Sequence, residues 1–261
     1  MCLECGCDQP VPFGIKVLRF VAPGVLRAHT MPAPAATPAE PPVARKTFDL
    51  QVPLLAKNDQ LAARNRANFR ARRLLALNLV SSPGAGKTTL LARTLDEFGL
   101  QTKCAVVVGD LETDNDARRL ARPHAPVAQI TTGTACHLDA EMVARGVDTL
   151  DLAGVRVLFI ENVGNLVCPA SFDLGEELRV VLLSTTEGED KPLKYPPIFK
   201  SANLVLLTKV DVADILGFKR DVAVENIRRI APQAKIIQLS SRTGEGMAEW
   251  YAFLKNLAGQ A

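Results

Sequence analysis

The stretch LALNLVSSPGAGKTT, residues 75–89, runs from an apolar segment through a glycine-rich loop toward a helix. An apolar strand that leads through Gly-x-Gly-Lys-Thr into a helix is the context that a phosphate-binding loop requires. The two glycines let backbone N–H groups curl around phosphate oxygens at the positive end of the helix. The predicted phosphate-contacting residues are Gly84, Ala85, Gly86, Lys87, Thr88 and Thr89.

Two side chains of this loop carry the expected chemistry. Lys87 is placed to reach the β- and γ-phosphates of a nucleotide, and the Thr88 hydroxyl is placed to ligate Mg²⁺. The first position of the usual pattern is Ser81 instead of glycine. This departure removes one flexible point of the loop but no chemical group.

The rest of the chain predicts an α/β fold. Short apolar segments alternate with helical segments from residue 74 onward. The predicted strands are 75–80, 104–108, 127–130, 155–160, 180–184, 204–208 and 235–239, and the predicted helices are 54–73, 87–98, 138–147, 221–231 and 247–257. Near-continuous apolar strands separated by helices indicate a mostly parallel sheet flanked by helices, the architecture of a P-loop NTPase.

Carboxylates follow two of these strands. Asp110 and Glu161 come at strand ends that share the rim of the P-loop in a parallel sheet. Either one could hold Mg²⁺ through a water together with Thr88, and Asp110 or Asp114 could position the attacking water. Gly164 follows Glu161 closely enough for its N–H to sense the γ-phosphate. Solvated carboxylates that merely end their strands remain the alternative. The predicted catalytic residues are Lys87, Asp110, Asp114 and Glu161.

A guanine-recognition pattern follows a later strand. Thr208, Lys209 and Asp211 form a version of the Asn/Thr-Lys-x-Asp motif. Its aspartate can accept from guanine N1–H and the 2-amino group, a pair of donors that adenine lacks. Ser240 and Ser241, after the last strand, fit the loop that offers backbone N–H to guanine O6. The sequence therefore predicts that the nucleotide is GTP or GDP.

Three of the six cysteines lie within the first seven residues, at Cys2, Cys5 and Cys7. Thiolates at this spacing suit zinc or another soft-to-borderline transition metal. The alternative is a cysteine cluster without function on a frayed terminus.

Two further cysteines are predicted to share the nucleotide-facing rim. Cys136 and His137 lie where a strand ends and a helix begins, and Cys168 follows the strand that ends at Glu161. These three side chains could meet around one metal ion. Buried cysteines that act only as small apolar residues are the alternative.

Composition excludes several classes of protein and suggests how the chain is divided. The 261 residues carry a formal net charge of only +3, so we expect no nucleic-acid partner. No apolar run approaches a membrane span, and no secretory signal is visible, so reduced thiols and a cytoplasmic location are expected. We predict a cysteine metal-binding motif over residues 1–7, a Pro-rich flexible linker over 8–46 and a P-loop GTPase domain over 47–261.

Together the motifs resemble a known family, the nickel-incorporation GTPases of [NiFe]-hydrogenase maturation (HypB). The carriers of this resemblance are MCLECGC (1–7), SPGAGKT (82–88), GDLETD (109–114), CHLD (136–139), ENVGNLVCP (161–169) and KPLKYP (191–196). The resemblance implies a tight nickel site at Cys2, Cys5 and Cys7. It also implies a weaker nickel or zinc site at Cys136, His137 and Cys168.

The family likeness further implies a GTP-hydrolysing nickel metallochaperone of low turnover. Such a protein forms a GTP-dependent homodimer and works with a partner nickel metallochaperone to load the hydrogenase large subunit. The histidine-rich stretch that many relatives carry near the N-terminus is missing here, which argues against nickel storage. The alternatives are a urease-type metal-delivery GTPase and a nucleotide-regulated nickel or zinc buffer.

Overall fold

A computed structural model of the protein describes residues 13–22, 25–31 and 51–259. Within these ranges the chain forms one nine-stranded, mostly parallel sheet flanked by helices, as predicted. Its strands are β1 (Gly14–Ala22), β2 (Val25–Met31), β3 (Leu75–Ser81), β4 (Cys104–Asp110), β5 (Val127–Thr131), β6 (Val157–Glu161), β7 (Leu178–Ser184), β8 (Leu204–Thr208) and β9 (Lys235–Leu239).

The strand order places the phosphate-binding loop at the end of an interior strand, away from the edges of the sheet. The strands lie in the order β2-β1-β5-β4-β6-β3-β7-β8-β9. From β5 to β9 every neighbouring pair is parallel, and β3 lies between β6 and β7. The loops that follow β3, β4, β6 and β8 therefore leave the sheet at one rim, where a doubly wound sheet binds its ligand.

Helices cover both faces of the sheet. They are α1 (Gln51–Ala71), α2 (Lys87–Glu97), α3 (Asn115–Leu120), α4 (Ala140–Asp148), α5 (Lys191–Lys194), α6 (Pro196–Lys200), α7 (Arg220–Ile230) and α8 (Met247–Ala258). Strand β4 shows the two-sided packing: Cys104 and Val106 pack into the cluster with α2 and α8, whereas Val107 packs into the one with α1 and α4. Burial raises the pKa of the Cys104 thiol to about 12, as suits an inert core cysteine.

The prediction of a flexible linker over residues 8–46 is wrong for residues 14–22 and 25–31. These residues form the antiparallel strands β1 and β2, and β1 also pairs antiparallel with β5. Phe13, Ile15 and Val17 are buried against the sheet. In the sequence, the basic residues of these strands and the Pro23-Gly24 pair between them disguise the alternation of apolar side chains, and the pairing partner β5 lies more than 90 residues away. Residues 1–12, 23–24 and 32–50 lie outside the described ranges, so the rest of the predicted linker stays a prediction.

Most other boundaries agree with the predicted elements to within three residues. The short helices α3, α5 and α6 were not predicted, because none of them is long enough to show a helical period. No helix within the described ranges has both the length and the apolar composition that a bilayer crossing requires.

Strand β1 can be tested through its contribution to stability. Ile15 is 8% exposed and belongs to the core cluster beside α4. Ile15→Ala should lower the free energy of unfolding by about 2–4 kcal/mol, because it removes buried methyl groups and leaves a cavity. Urea unfolding of the full chain measures this loss. His29→Ala, at an exposed position of β2, is the control. Equal stability of both variants would show that β1 is not docked.

Candidate functional site: the rim of the phosphate-binding loop

The loop after β3 has the backbone of a phosphate cradle. Gly84 and Gly86 have φ angles of 73° and 104°, a region that residues with a Cβ rarely adopt. Helix α2 begins directly afterwards at Lys87, whose Nζ donates a hydrogen bond of 2.9 Å to Ser81 Oγ. Ser81, the departure from the usual glycine, therefore holds the lysine in the loop. Burial lowers the Lys87 pKa below its usual range, although Glu161 opposes this shift.

A carboxylate is paired with the loop's threonine. The Thr88 hydroxyl donates to Glu161 Oε1 at 2.6 Å, and Glu161 is 3% exposed. The second oxygen, Oε2, is buried and has no hydrogen-bond partner among the described residues. Burial raises the Glu161 pKa to about 7. A hydroxyl beside an orphaned, buried carboxylate oxygen is a donor set that suits Mg²⁺.

The other two predicted carboxylates have different surroundings. Asp110 lies at the end of β4, where its Oδ1 accepts from the backbone N–H groups of Glu112 and Thr113. Asp114 is paired with Arg118 at 3.0 Å and with Lys16 of β1 at 3.4 Å. The Thr88 hydroxyl donates to Glu161 and to neither of these carboxylates. Of the predicted acidic residues, only Glu161 has a hydrogen bond to the phosphate-binding loop.

Two charged residues at this site were not found from the sequence. Arg119 of α3 donates to Thr89 Oγ1 at 3.2 Å. Asp116, on the same helix, is near enough to raise the pKa of Glu161, which Arg119 lowers. Their i, i+3 spacing places both on one helix face. Two charged residues at this spacing, just after the predicted rim residue Asp114, are the feature of the sequence that could have indicated them.

The predicted guanine motif is tied to the phosphate-binding loop. Thr208 Oγ1 donates to the Ala85 carbonyl at 2.8 Å, and Lys209 Nζ donates to the Gly84 carbonyl at the same distance. Thr208, in place of the usual asparagine, thus keeps a link between the two loops. Lys209 has a φ of 59°, and Asp211 follows in a short 3₁₀ turn.

The loop after β9 is closed by its own serine. Ser240 is fully buried, and its Oγ accepts from the backbone N–H groups of Arg242 and Thr243. The Ser241 carbonyl accepts from Arg93 of α2 at 3.0 Å. These contacts hold the predicted guanine O6 loop against α2, the helix that directly follows the phosphate-binding loop.

The structure brings Cys136, His137 and Cys168 together. Their candidate ligand atoms all lie within 4.8 Å of one another. The two Sγ atoms are 3.0 Å apart, and Cys136 Sγ lies 3.9 Å from His137 Nδ1. Burial lowers the His137 pKa to about 4, so its imidazole is neutral and able to bind a metal near pH 7. The His137 ring also packs on Phe172, with centroids 3.9 Å apart.

Two thiols and an imidazole form a donor set for nickel or zinc. The other predicted ligands, Cys2, Cys5 and Cys7, lie outside the described residues. Their metal site stays a prediction.

Comparison with known proteins shows the family to which this chain belongs. Residues 75–238 match the family model described as CobW/HypB/UreG, nucleotide-binding domain. The hydrogenase maturation factor HypB of Azotobacter chroococcum is 47% identical over 90% of this chain and 77% of its own length. The Escherichia coli factor of the same name is 51% identical over 81% of this chain and 73% of its own length. The chain belongs to the HypB family of hydrogenase maturation factors.

A solved HypB structure has the same fold. HypB from Helicobacter pylori, solved in complex with nickel, superposes with a TM-score of 0.75 at 40% identity. The alignment covers 78% of this chain and 96% of that one. The HypB fold thus accounts for most of the described residues.

The buried Glu161 carboxyl has a measurable effect on stability. In the ligand-free protein its pKa is about 7, against an ordinary value of 4.5. Between these pH values the folded state holds a proton that the unfolded chain has lost, so this group's contribution to stability falls as pH rises from about 4.5 to 7. As the pH rises across this window, the free energy of unfolding of Glu161→Gln should therefore increase relative to that of the parent.

Urea unfolding at a series of pH values, with a chelator present, measures the difference. His137 has a lowered pKa, so its own contribution to stability rises with pH. Both proteins contain His137, so this contribution cancels when the variant is compared with the parent. Glu112→Gln, at an exposed position of the same rim, is the control and should follow the parent. A parallel pH dependence of Glu161→Gln and the parent would contradict the buried, protonated carboxyl.

Proposed function

We propose that this chain is a GTP-hydrolysing nickel-delivery factor that helps insert nickel into the large subunit of a [NiFe]-hydrogenase. One observation carries the proposal. The segment that begins at Glu161, in contact with Thr88 of the nucleotide site, ends at Cys168, in contact with Cys136. Only six residues separate Glu161 from Cys168.

The proposed nucleotide binding rests on two groups of residues. Lys87 and Thr88 are placed for the phosphates and Mg²⁺, with Glu161 as the carboxylate that completes the cation's surroundings. Asp211 is the residue we propose to select guanine, and its support is that Lys209 of the same motif contacts the phosphate-binding loop. Asp110 and Asp114 remain the two proposed residues for positioning the attacking water.

The proposed nickel binding rests on the chemistry of the donor atoms and on similarity to HypB proteins. The Cys136, His137 and Cys168 group offers soft and borderline donors, and a HypB relative has been solved with nickel. We propose nickel as the cargo of this set, with zinc as a competitor. A tight second nickel site at Cys2, Cys5 and Cys7, a partner metallochaperone, a GTP-dependent homodimer and a cytoplasmic location stay predictions.

GTP acts in this proposal as a timing signal. Order and disorder of a segment that senses the γ-phosphate is a common device of GTPases. A segment that rearranges when the γ-phosphate leaves would here move Cys168 as well. Nickel affinity at the inner set should therefore differ between the GTP and GDP states, and nickel should shift nucleotide affinity by the same factor.

The function is tested with Lys87→Ala in cells that lack their own factor. We expect GTP hydrolysis to fall about a hundredfold, because the side chain that stabilises charge on the phosphates is gone, and hydrogenase activity to fall with it. Lys57→Ala, which changes an exposed lysine of α1, is the control.

Each result separates two classes of protein. Loss of both GTP hydrolysis and hydrogenase activity in Lys87→Ala supports the delivery switch. Full hydrogenase activity without GTP hydrolysis would contradict it and would favour the alternative of a nucleotide-regulated nickel or zinc buffer, whose GTP turnover does not matter.

A further inference from the structure

A buried amide lies between the nucleotide site and the metal ligands. Asn162 follows Glu161 at the end of β6 and is 1% exposed. Its Oδ1 accepts from the backbone N–H groups of Leu138 and Val163, both at 3.0 Å. Its Nδ2 donates to Asn78 Oδ1 of β3 at 3.3 Å. Both ends of this amide are therefore used inside the protein.

The two backbone groups that share Asn162 Oδ1 belong to different parts of the site. Leu138 directly follows His137, whereas Val163 begins the stretch that leads to Gly164 and Cys168. Gly164 packs on the phosphate-binding loop so closely that a Cβ there would lie 3.0 Å from Pro83 Cα. One oxygen atom thus joins the segment that contacts the nucleotide loop to the loop that carries the imidazole.

A buried network of polar side chains holds the Nδ2 end of this amide. Asn78 Nδ2 donates to Glu176 Oε1 at 3.1 Å, and the same oxygen accepts from Arg179 at 2.8 Å. The side chains of Glu176 and Arg179 are 6% and 9% exposed. Because every member of this buried network has partners, rotation of the Asn162 amide would break several hydrogen bonds at once.

We propose that Asn162 is the positioning residue through which the nucleotide state sets the geometry of the Cys136, His137 and Cys168 site. This inference rests on the proposed function and adds the atom that carries the coupling. Movement of the segment 162–168 pulls on Oδ1 and so shifts the backbone beside His137. Without this amide the two N–H groups are left unpaired, and the metal loop no longer follows the segment.

The test is equilibrium nickel binding by the full chain in its GDP form and with a non-hydrolysable GTP analogue. Cys2, Cys5 and Cys7 are replaced by Ala throughout, so that only the inner set binds nickel. The parent should show affinities that differ at least about fivefold between the two nucleotide states. In Asn162→Ala the ratio should fall to about one, while GTP-analogue affinity in the absence of metal stays near the parent's.

Asn65→Ala is the matched control. Asn65 of α1 is 4% exposed, and its Nδ2 joins two backbone carbonyls, those of Ala140 and Leu174. Its loss also costs two buried hydrogen bonds between a side-chain amide and the backbone, here donated instead of accepted, but none to the nucleotide loop or to a proposed metal ligand. Comparable thermal unfolding of the two variants, with the affinity ratio lost only in Asn162→Ala, is the expected result.

The outcomes distinguish this inference from the proposed function. A ratio that survives in Asn162→Ala, or that disappears equally in Asn65→Ala, overturns the role of Asn162 and leaves the delivery switch intact. Equal affinities in the parent overturn both. If Asn162→Ala does not fold, Asn162→Ser takes its place, because its short hydroxyl cannot reach both N–H groups.

Discussion

The hydrogen bond between Thr88 and Glu161 is the contact on which the rest of the site depends. It lies where helix α2 begins and β6 ends, 2.6 Å long and shielded from water. A buried carboxyl with an unpartnered oxygen is costly unless a proton or a cation neutralises it. The same carboxyl begins the segment that carries Cys168. A charge arriving at the nucleotide loop therefore acts on the first residue of the segment that ends at Cys168, one of the proposed metal ligands.

Much of this architecture could be predicted because its signals are local. The phosphate-binding loop, the guanine motif and the parallel strands each occupy a short stretch, recognised by glycine spacing, by the Thr-Lys-x-Asp pattern and by apolar runs respectively. The rim position of Cys136 and Cys168 followed from the rule that parallel strands end on the same side of the sheet. What the rule could not give is the 3.0 Å approach of the two sulfur atoms, which depends on how two loops fold toward each other.

The features that escaped prediction depend on contacts distant in sequence. Strand β1 is stabilised by pairing with β5, and nothing within 14–31 announces that partner. Asn78 interrupts an apolar strand, and its purpose is visible only once Asn162 and Glu176 lie beside it. Ser81 is similar: as a departure from a motif it looked like a loss, yet its hydroxyl accepts from Lys87.

In the proposed mechanism, the segment 161–168 makes the proposed nickel site depend on the γ-phosphate. Nickel K-edge X-ray absorption can measure this dependence on the full chain with Cys2, Cys5 and Cys7 replaced by Ala and one nickel bound. Spectra are compared between the GDP form and the form with a non-hydrolysable GTP analogue. We predict a different nickel–sulfur coordination in the two forms, because Cys168 moves with the segment. Superimposable spectra would contradict it.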